Sequence, residues 1–506
     1  MTGKILLISG SFEDVSLITS GENIEKGIKT TDDSHYPLGI AYLHSYLEAC
    51  GHKVESLFLN NLPFDSCFNA VVDSLARFLP DVVGIQILTP NRISSYRIIE
   101  YIHERYPDLW IAAGGIHTTI MYEQLLARYP FLVTVLGEGE ITFGEFVEEV
   151  SKEKPLLEKV DGIAFKKNGS IIKTGQRALI ENLDSLPFPK HEIFFNDNRT
   201  TGCLITSRGC PFACTYCCLD AISNRKTRYR SVKNVVDEIE FLINKNGNLR
   251  SIWLHDDTLF LNNQRVVELC SEIMDRGIKL EFICSGRVKP LSEEVVVMME
   301  RAGFKKVLLG LESGDDDILK ECKKNITRKD VLRAFRLFSK TSIELYAFLI
   351  VGLPGETAVT VRNTIKFVKK LQRIKYIYYA EDIAVLTVYP GTAIYEKAKI
   401  AGTLNDDYWL LDKPTPLYTA EHSLRQLHIF KSQILDNVSF DRFFTPRGFF
   451  AQFFMAPYIL AYIVRHRILG KNIIELFLYK LMKSLIPERA YEVMVRPYRY
   501  FKQKSK

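Results

Sequence analysis

Short apolar runs alternate with amphipathic stretches along the first 150 residues. "KILLISG", "KVESLFLN", "DVVGIQIL", "LWIAAGG" and "FLVTVLGEGE" are the continuous, β-branched runs of buried strands. Between and after them, "GIAYLHSYLEAC", "FNAVVDSLARFL", "YRIIEYIHERY", "YEQLLARY" and "FGEFVEEV" carry helical spacing. Five β-α units predict a parallel sheet with helices on both faces across residues 1–150. Ligands of such sheets bind beyond the carboxyl ends of the strands. Residues 151–195, with "SLPFPKHEIF", read as an irregular, proline-punctuated linker. Alternation resumes over 196–400, where "GCLITSRGC", "SIWLHDD", "LEFICSGR", "KKVLLGLESG", "LYAFLIVGLPGE" and "IAVLTVYPGT" are strand-like, with helices such as "SVKNVVDEIEFLINK" between. Six strands, each with polar residues at its carboxyl end, predict a partial β/α barrel whose site lies at that end. Residues 401–506 turn helical, basic and aromatic.

At 506 residues the chain predicts two or three domains. The net charge of +6 is uneven, since residues 421–506 hold fifteen Lys and Arg against six Asp and Glu. The excess belongs to the tail, so no nucleic-acid groove is expected across the protein. Within the tail, "FFAQFFMAPYILAYIV" is shorter than the ~20 residues of a membrane span. Gln452 and Pro457 interrupt it. A helix buried against the barrel is the expectation, with peripheral membrane contact the alternative. "MTGKILLISG" shows no cleavable leader, and ten cysteines clustered only once fit a reducing, cytoplasmic setting with one metal site. The place where a nicotinamide fold carries G-x-G-x-x-G reads "SGSFED", so a dinucleotide pocket is not expected.

The cluster is "SRGCPFACTYCCLD", with Cys210, Cys214 and Cys217 spaced C-x-x-x-C-x-x-C. Three thiolates from one loop can hold three corners of an iron–sulfur cube, leaving one iron open to a ligand. Structural zinc would want a second Cys/His knuckle, and the chain has no other C-x-x-C and no H-x-x-x-H. Cys218 adjoins Cys217, and neighbouring residues seldom point at one cube, so it reads as a packing residue. After the first strand of a six-unit repeat, and with Tyr216 before the last cysteine, this loop resembles the signature of radical S-adenosylmethionine enzymes. The resemblance implies a [4Fe-4S] cluster whose open iron chelates S-adenosylmethionine. One electron then yields a 5′-deoxyadenosyl radical. It also implies cofactor contacts at the following strand ends, from Asp256 and Asp257, Ser285 and Arg287, and Glu312 and Ser313.

An open α/β domain ahead of such a barrel resembles the cobalamin-binding radical enzymes. "YPLGIAYLHSYLEACGHKV", "AGGIHTT" and "LGEGEITF" carry that resemblance. It implies cobalamin contacts from Thr89, Gly114, Gly115, His117, Thr118, Gly137, Glu138 and Gly139, with His117 near the cofactor's tail. Glycines at strand ends let a large flat ligand reach the backbone. The family's cobalt-ligand motif Asp-x-His-x-x-Gly is only approached by "DSHYPLG", whose glycine, Gly39, falls one residue late, so His35 is not expected to bind cobalt.

The expected fold is α/β: an N-terminal flavodoxin-like five-stranded parallel sheet, a partial (β/α)6 barrel and a mostly helical C-terminal region. The expected function is cobalamin-dependent radical methyl transfer to an unactivated carbon of a large natural-product, lipid or tetrapyrrole-like substrate. It would be anaerobic and fed by an external flavodoxin- or ferredoxin-type donor. A ring-forming cyclase or rearrangement enzyme is the enzymatic alternative, and a non-catalytic cobalamin or redox sensor the alternative from another class.

Overall fold

Residues 5–9 of "KILLIS" are all buried, as the central strand of a sheet covered on both faces requires. Ile5 and Leu7 pack into the core on one side of the sheet, and Leu6 and Ile8 into the core on the other. The computed structural model describes residues 2–12, 37–59, 64–195, 199–378 and 383–438. Asp33, His35 and the tail from Ser439 lie outside the described residues.

In chain order the first layer is β1 (Lys4–Ser9), α1 (Leu38–Ala49), β2 (Lys53–Phe58), α2 (Phe64–Phe78), β3 (Val82–Gln86), α3 (Arg92–Arg105), β4 (Trp110–Gly114), α4 (Ile116–Arg128), β5 (Val133–Val135) and α5 (Glu140–Val150). The strands pair in the order β2-β1-β3-β4-β5, all parallel. The expected flavodoxin-like sheet is therefore present. Two further strands, β6 (Ile163–Lys167) and β7 (Ser170–Lys173), continue it antiparallel past β5. The stretch expected to be an irregular linker is thus partly sheet. Its turn is Asn168-Gly169, with φ of 51° and 80°, the backbone that favours a tight hairpin.

The second layer runs through β8 (Thr201–Leu204), β9 (Ser207–Arg208), α6 (Asp220–Ser223), β10 (Arg228–Tyr229), α7 (Val232–Lys245), β11 (Ser251–Leu254), α8 (Asn263–Asp275), β12 (Glu281–Gly286), α9 (Glu293–Arg301), β13 (Phe304–Glu312), α10 (Asp316–Glu321), α11 (Arg328–Phe338), β14 (Glu344–Val351), α12 (Ala358–Gln372), β15 (Ile377–Tyr378) and β16 (Ala384–Val385), with β9 and β10 forming a small sheet of their own. Strands β8-β11-β12-β13-β14-β15 form a parallel half-barrel, and β16 also pairs with β14. Ser231, Asn262, Ser292, Thr327 and Thr357 each cap the helix that follows by accepting an N–H three residues on. Every second residue of the strands (Phe282, Cys284, Val307, Leu309, Leu345, Leu349) is buried under these helices. The opposite parity, including Ile283, Ser285, Lys306, Tyr346 and Phe348, is only partly buried or exposed and forms the inner face.

After β16 come α13 (Ala393–Ile400), a short turn at Asp406–Leu410 and α14 (Leu424–Val438). The chain from Trp409 to Thr415 straps onto the first sheet's helices. Arg92, fully buried, donates to the carbonyls of Thr89 and Lys413 and to the Thr415 hydroxyl, and its guanidinium lies 5.4 Å from the Trp409 ring. Arg97 pairs with Asp412 at 2.8 Å. Among the described residues no helix is long and apolar enough to cross a membrane.

The "VGLPGE" turn closes β14. Gly352 and Gly355 take φ of 88° and 77°, and buried Glu356 accepts the Gly352 N–H at 2.6 Å. Burial, with Asp315 nearby, pushes the Glu356 carboxyl up to about 7. The fold therefore favours its protonated form. That stabilisation is complete below the unfolded carboxyl's range and is lost as pH rises through about 7. Glu356→Gln is expected to raise stability at pH 8 by about 3 kcal/mol and to flatten the pH dependence between ~4.5 and ~7, as read by urea unfolding across that range.

Candidate active site

The cysteine loop follows β9, whose two residues pair antiparallel with β10, Arg228 opposite Arg208 and Tyr229 opposite Ser207. Two aspartates at the end of β11 hold the start of this loop. Asp256 accepts the N–H and hydroxyl of Thr206 at 2.5 Å each, the Ser207 hydroxyl at 2.8 Å and the Ser207 N–H at 3.4 Å. Asp257 accepts the Gly209 N–H at 3.0 Å, and burial raises its carboxyl to about 6. Gly209 has φ of 90°, and a Cβ there would fall 2.1 Å from the Lys226 carbonyl, so only glycine fits. The far side of the loop is tied by Thr215, whose N–H donates to the Cys322 carbonyl and whose carbonyl accepts from Ile394.

Among the described residues no three His, Cys, Asp or Glu side chains gather as a single metal ion would need. The thiols of Cys210, Cys214 and Cys217 instead stand along one loop, none in a disulfide. A cube asks for that arrangement, since each thiolate meets a different iron. Burial pushes the half-buried Cys210 thiol up, a cost that a bound metal would offset by favouring the thiolate. Arg287, at the end of β12, lies 3.8 Å over the Phe212 ring and reaches the Cys214 sulfur at 3.5 Å through Nη1. Its buried Nε and Nη2 have no protein partner. An orphaned guanidinium edge beside the cysteine loop fits an anionic group of a bound cofactor. Half-buried Tyr216 stands beside the Cys214 thiol.

The remaining expected residues divide. Glu312 ends β13 with φ of 61° and takes Lys324 Nζ at 2.5 Å, both side chains buried. Gly310 makes room for this pair, because a Cβ there would sit 2.6 Å from Glu312 Oε1. Ser285 is half-buried on the inner face of β12. Ser313 is turned to the protein, sharing a hydrogen bond with Thr364 at 3.2 Å and accepting the Asp315 N–H.

At the carboxyl ends of the first sheet lies a cavity of about 330 Å³. One wall is Gly39, Gly84, Gly114, Gly115, Gly137, Glu138 and Gly139, and the opposite wall is Ser207, Arg208, Gly209, Leu219, Ile222 and Asp257 from the cysteine-loop region. Cβ atoms at Gly137 and Gly139 would have nothing within 4 Å, so the backbone there is open to a flat ligand. This wall fits an edge of cobalamin. Thr89, His117 and Thr118 do not line the cavity. His117 is fully buried, with Nδ1 on the Thr89 hydroxyl at 3.0 Å and Nε2 on the Tyr96 hydroxyl at 2.9 Å. Burial and Arg92 press its pKa down to about 3, and its ring meets Trp409 edge-on. Thr118 donates to the Gly114 carbonyl. These three hold the strand end together rather than face a ligand.

Glu138 faces the cavity but is engaged across it. One oxygen accepts from Arg208 at 3.1 Å, and the other from Arg228 at 2.7 Å and the Ile180 N–H at 2.9 Å. Glu140 takes the other arm of Arg208 at 2.6 Å. Arg208, Arg228 and Lys324 are absent from the sequence-based expectation. Arg208 stands inside the quoted cysteine stretch, yet no spacing rule marks an arginine as a partner for a strand end seventy residues earlier.

Replacing Cys210, Cys214 or Cys217 by Ala is expected to abolish cluster iron after anaerobic reconstitution, while Cys218→Ala retains the wild-type content. Iron and sulfide assays with the charge-transfer absorbance of the cluster check this.

Family models match two parts of the chain: the B12 binding domain over residues 26–147 and the radical SAM superfamily over residues 204–368. An uncharacterised methyltransferase of Pyrococcus horikoshii is 30% identical over 84% of this chain and 89% of its own length. The anaerobic magnesium-protoporphyrin IX monomethyl ester cyclase of Rubrivivax gelatinosus is 30% identical over 66% of this chain, which spans 62% of that protein. In fold, the chain is similar to the cobalamin-dependent S-adenosylmethionine radical enzyme OxsB, solved with aqua-cobalamin and S-adenosylmethionine bound. That match has a TM-score of 0.67 and 18% identity, covering 99% of this chain and 75% of the other. The chain thus belongs to the B12-binding radical S-adenosylmethionine enzymes, which work with a [4Fe-4S] cluster, S-adenosylmethionine and cobalamin.

Proposed function

We propose that this enzyme transfers a methyl group to an unactivated carbon of a large, largely apolar small molecule. The observation that carries the reading is the shared cavity, whose glycine wall belongs to the cobalamin domain and whose other wall is the cysteine-loop region. Two cofactors that act on one carbon must both reach it. The methyltransferase relative, matched along most of both chains, supports the same choice.

When bound, the cluster and S-adenosylmethionine supply a hydrogen-abstracting radical and cobalamin supplies a transferable methyl group. In this reading Cys210, Cys214 and Cys217 hold the cluster, and Arg287 turns its unpaired edge toward the carboxylate of S-adenosylmethionine. Glu312, held by Lys324, accepts from the ribose hydroxyls. Gly114, Gly115, Gly137 and Gly139 let the corrin edge lie against backbone. The half-barrel's inner face offers Tyr346, half-buried, and Phe348, 38% exposed, as an apolar surface for substrate. Such a surface keeps water from a carbon radical that would attack any misplaced C–H bond. The substrate's identity and the electron donor, of flavodoxin or ferredoxin type, are read only to class.

The cyclase relative favours a second reading, oxidative ring formation on a tetrapyrrole-like substrate with no methyl transferred. Anaerobically reconstituted enzyme, given S-adenosylmethionine, cobalamin and dithionite, is expected to release 5′-deoxyadenosine well above a Cys214→Ala control. S-adenosylhomocysteine is expected to form alongside it. 5′-Deoxyadenosine without S-adenosylhomocysteine would favour the cyclase. Neither product above the control would leave a sensor rather than an enzyme.

A further inference from the structure

Arg208 sits two residues before the first cluster cysteine and opposite Arg228 in the β9–β10 ladder. Like charges facing each other across a ladder repel. Here Arg228 is buried and Arg208 half-buried, and one acid from the other domain separates them: Glu138 gives one oxygen to each. Arg208 is also held by Glu140 and lies 4.9 Å from the Tyr42 ring, so four residues of the cobalamin domain and the β9–β10 ladder share one largely buried group with it. Glu138, Glu140 and Tyr42 all line the cavity.

The backbone on either side of Arg208 has no slack. Ser207 is fixed by Asp256, and Gly209 by Asp257 and by the Thr227 hydroxyl, which donates to the Gly209 carbonyl. A guanidinium on a fixed stem presents a rigid planar fork, which sets both the distance and the angle of the carboxylates it grips. Whatever orders the cysteine loop therefore also orders Glu138 and Glu140, and through them the glycine turn at 137–139.

We propose that Arg208 is a positioning residue that couples the two cofactor sites, so that filling the cysteine loop with its cluster tightens cobalamin binding at the cavity, and cobalamin in turn stabilises the cluster. The proposal rests on the reading that the cavity takes cobalamin and the loop takes the cluster. Reciprocity follows because a coupling free energy belongs to both sites equally.

The experiment measures hydroxocobalamin affinity by anaerobic spectral titration of the full chain, cluster-free and cluster-loaded. Wild type is expected to bind about five-fold or more tightly when loaded, the usual lower end for coupled sites. In Arg208→Met combined with Glu140→Gln, the two affinities are expected to converge. That pair removes opposite charges together and leaves Glu138 its Arg228 partner, so no buried acid is stranded. Arg208→Lys, which keeps the charge but not the fork, is expected to retain only part of the ratio. An unchanged ratio in the double variant, even with both affinities weakened, would overturn the proposal and leave the functional reading intact. Wild type that binds no hydroxocobalamin in either state would overturn that reading, and the proposal with it.

Discussion

Drawing two arginines and two glutamates largely out of water between domains costs desolvation, and the mutual attraction offsets this only when the geometry is good. Here it is: Glu138 bridges Arg208 and Arg228, Glu140 completes Arg208, and Tyr42 covers its face. An apolar contact of the same size would stabilise the interface at least as well. What charge and fork geometry add is register. Apolar surfaces slide, whereas a carboxylate shared between two guanidinium groups has one favourable position. The strand-five turn of one domain and the cysteine loop of the other are pinned at that position, and the cavity between them takes its shape from it.

Two further contacts spread the constraint over the interface. Trp253 on the inner face of the half-barrel packs against a small core of Ala41, Phe194 and Cys203, which Leu38, Phe58 and Ile193 also cover. On the other flank the strap around Trp409 lies over His117 and Arg92 of the first sheet. Behind the interface, Arg230 and His191 share buried Glu238. The contact at the cavity is charged and that at Trp253 apolar, while the Trp409 strap combines an aromatic ring with Arg92 and the Arg97–Asp412 pair.

Part of the proposed site was legible because its chemistry is local. The three cysteines stand in one loop, so their spacing and the loop's place after a strand suggest the ligand set, and Arg287 stands at the strand end where the pattern places it. The glycine turn at 137–139 is also local, since openness of backbone needs only the absence of Cβ. The hairpin at 163–173 was missed: Asn168-Gly169 is a turn signal, but its charged, alternating strands do not resemble the apolar runs of the parallel sheet, and the stretch read as a linker. Asp256, His117 and Ser313 show the opposite case. Each has a residue type and a strand-end position suited to binding a cofactor, and each is occupied by protein partners that sequence cannot display. Asp256 holds the cysteine loop, His117 lies under the strap, and Ser313 supports the turn into α10.

The sequence by itself determined the two α/β layers, the triple-cysteine loop and the glycine-lined strand ends, because periodicity, spacing and missing side chains are properties of short segments. The tertiary structure alone decided which polar residues face a ligand and which face protein, and that Arg208 meets Glu138 and Glu140. The physical reason is that desolvated charge is tolerated only where a partner stands within hydrogen-bonding distance. For these residues that partner lies about seventy positions away along the chain, brought close only when the two sheets dock.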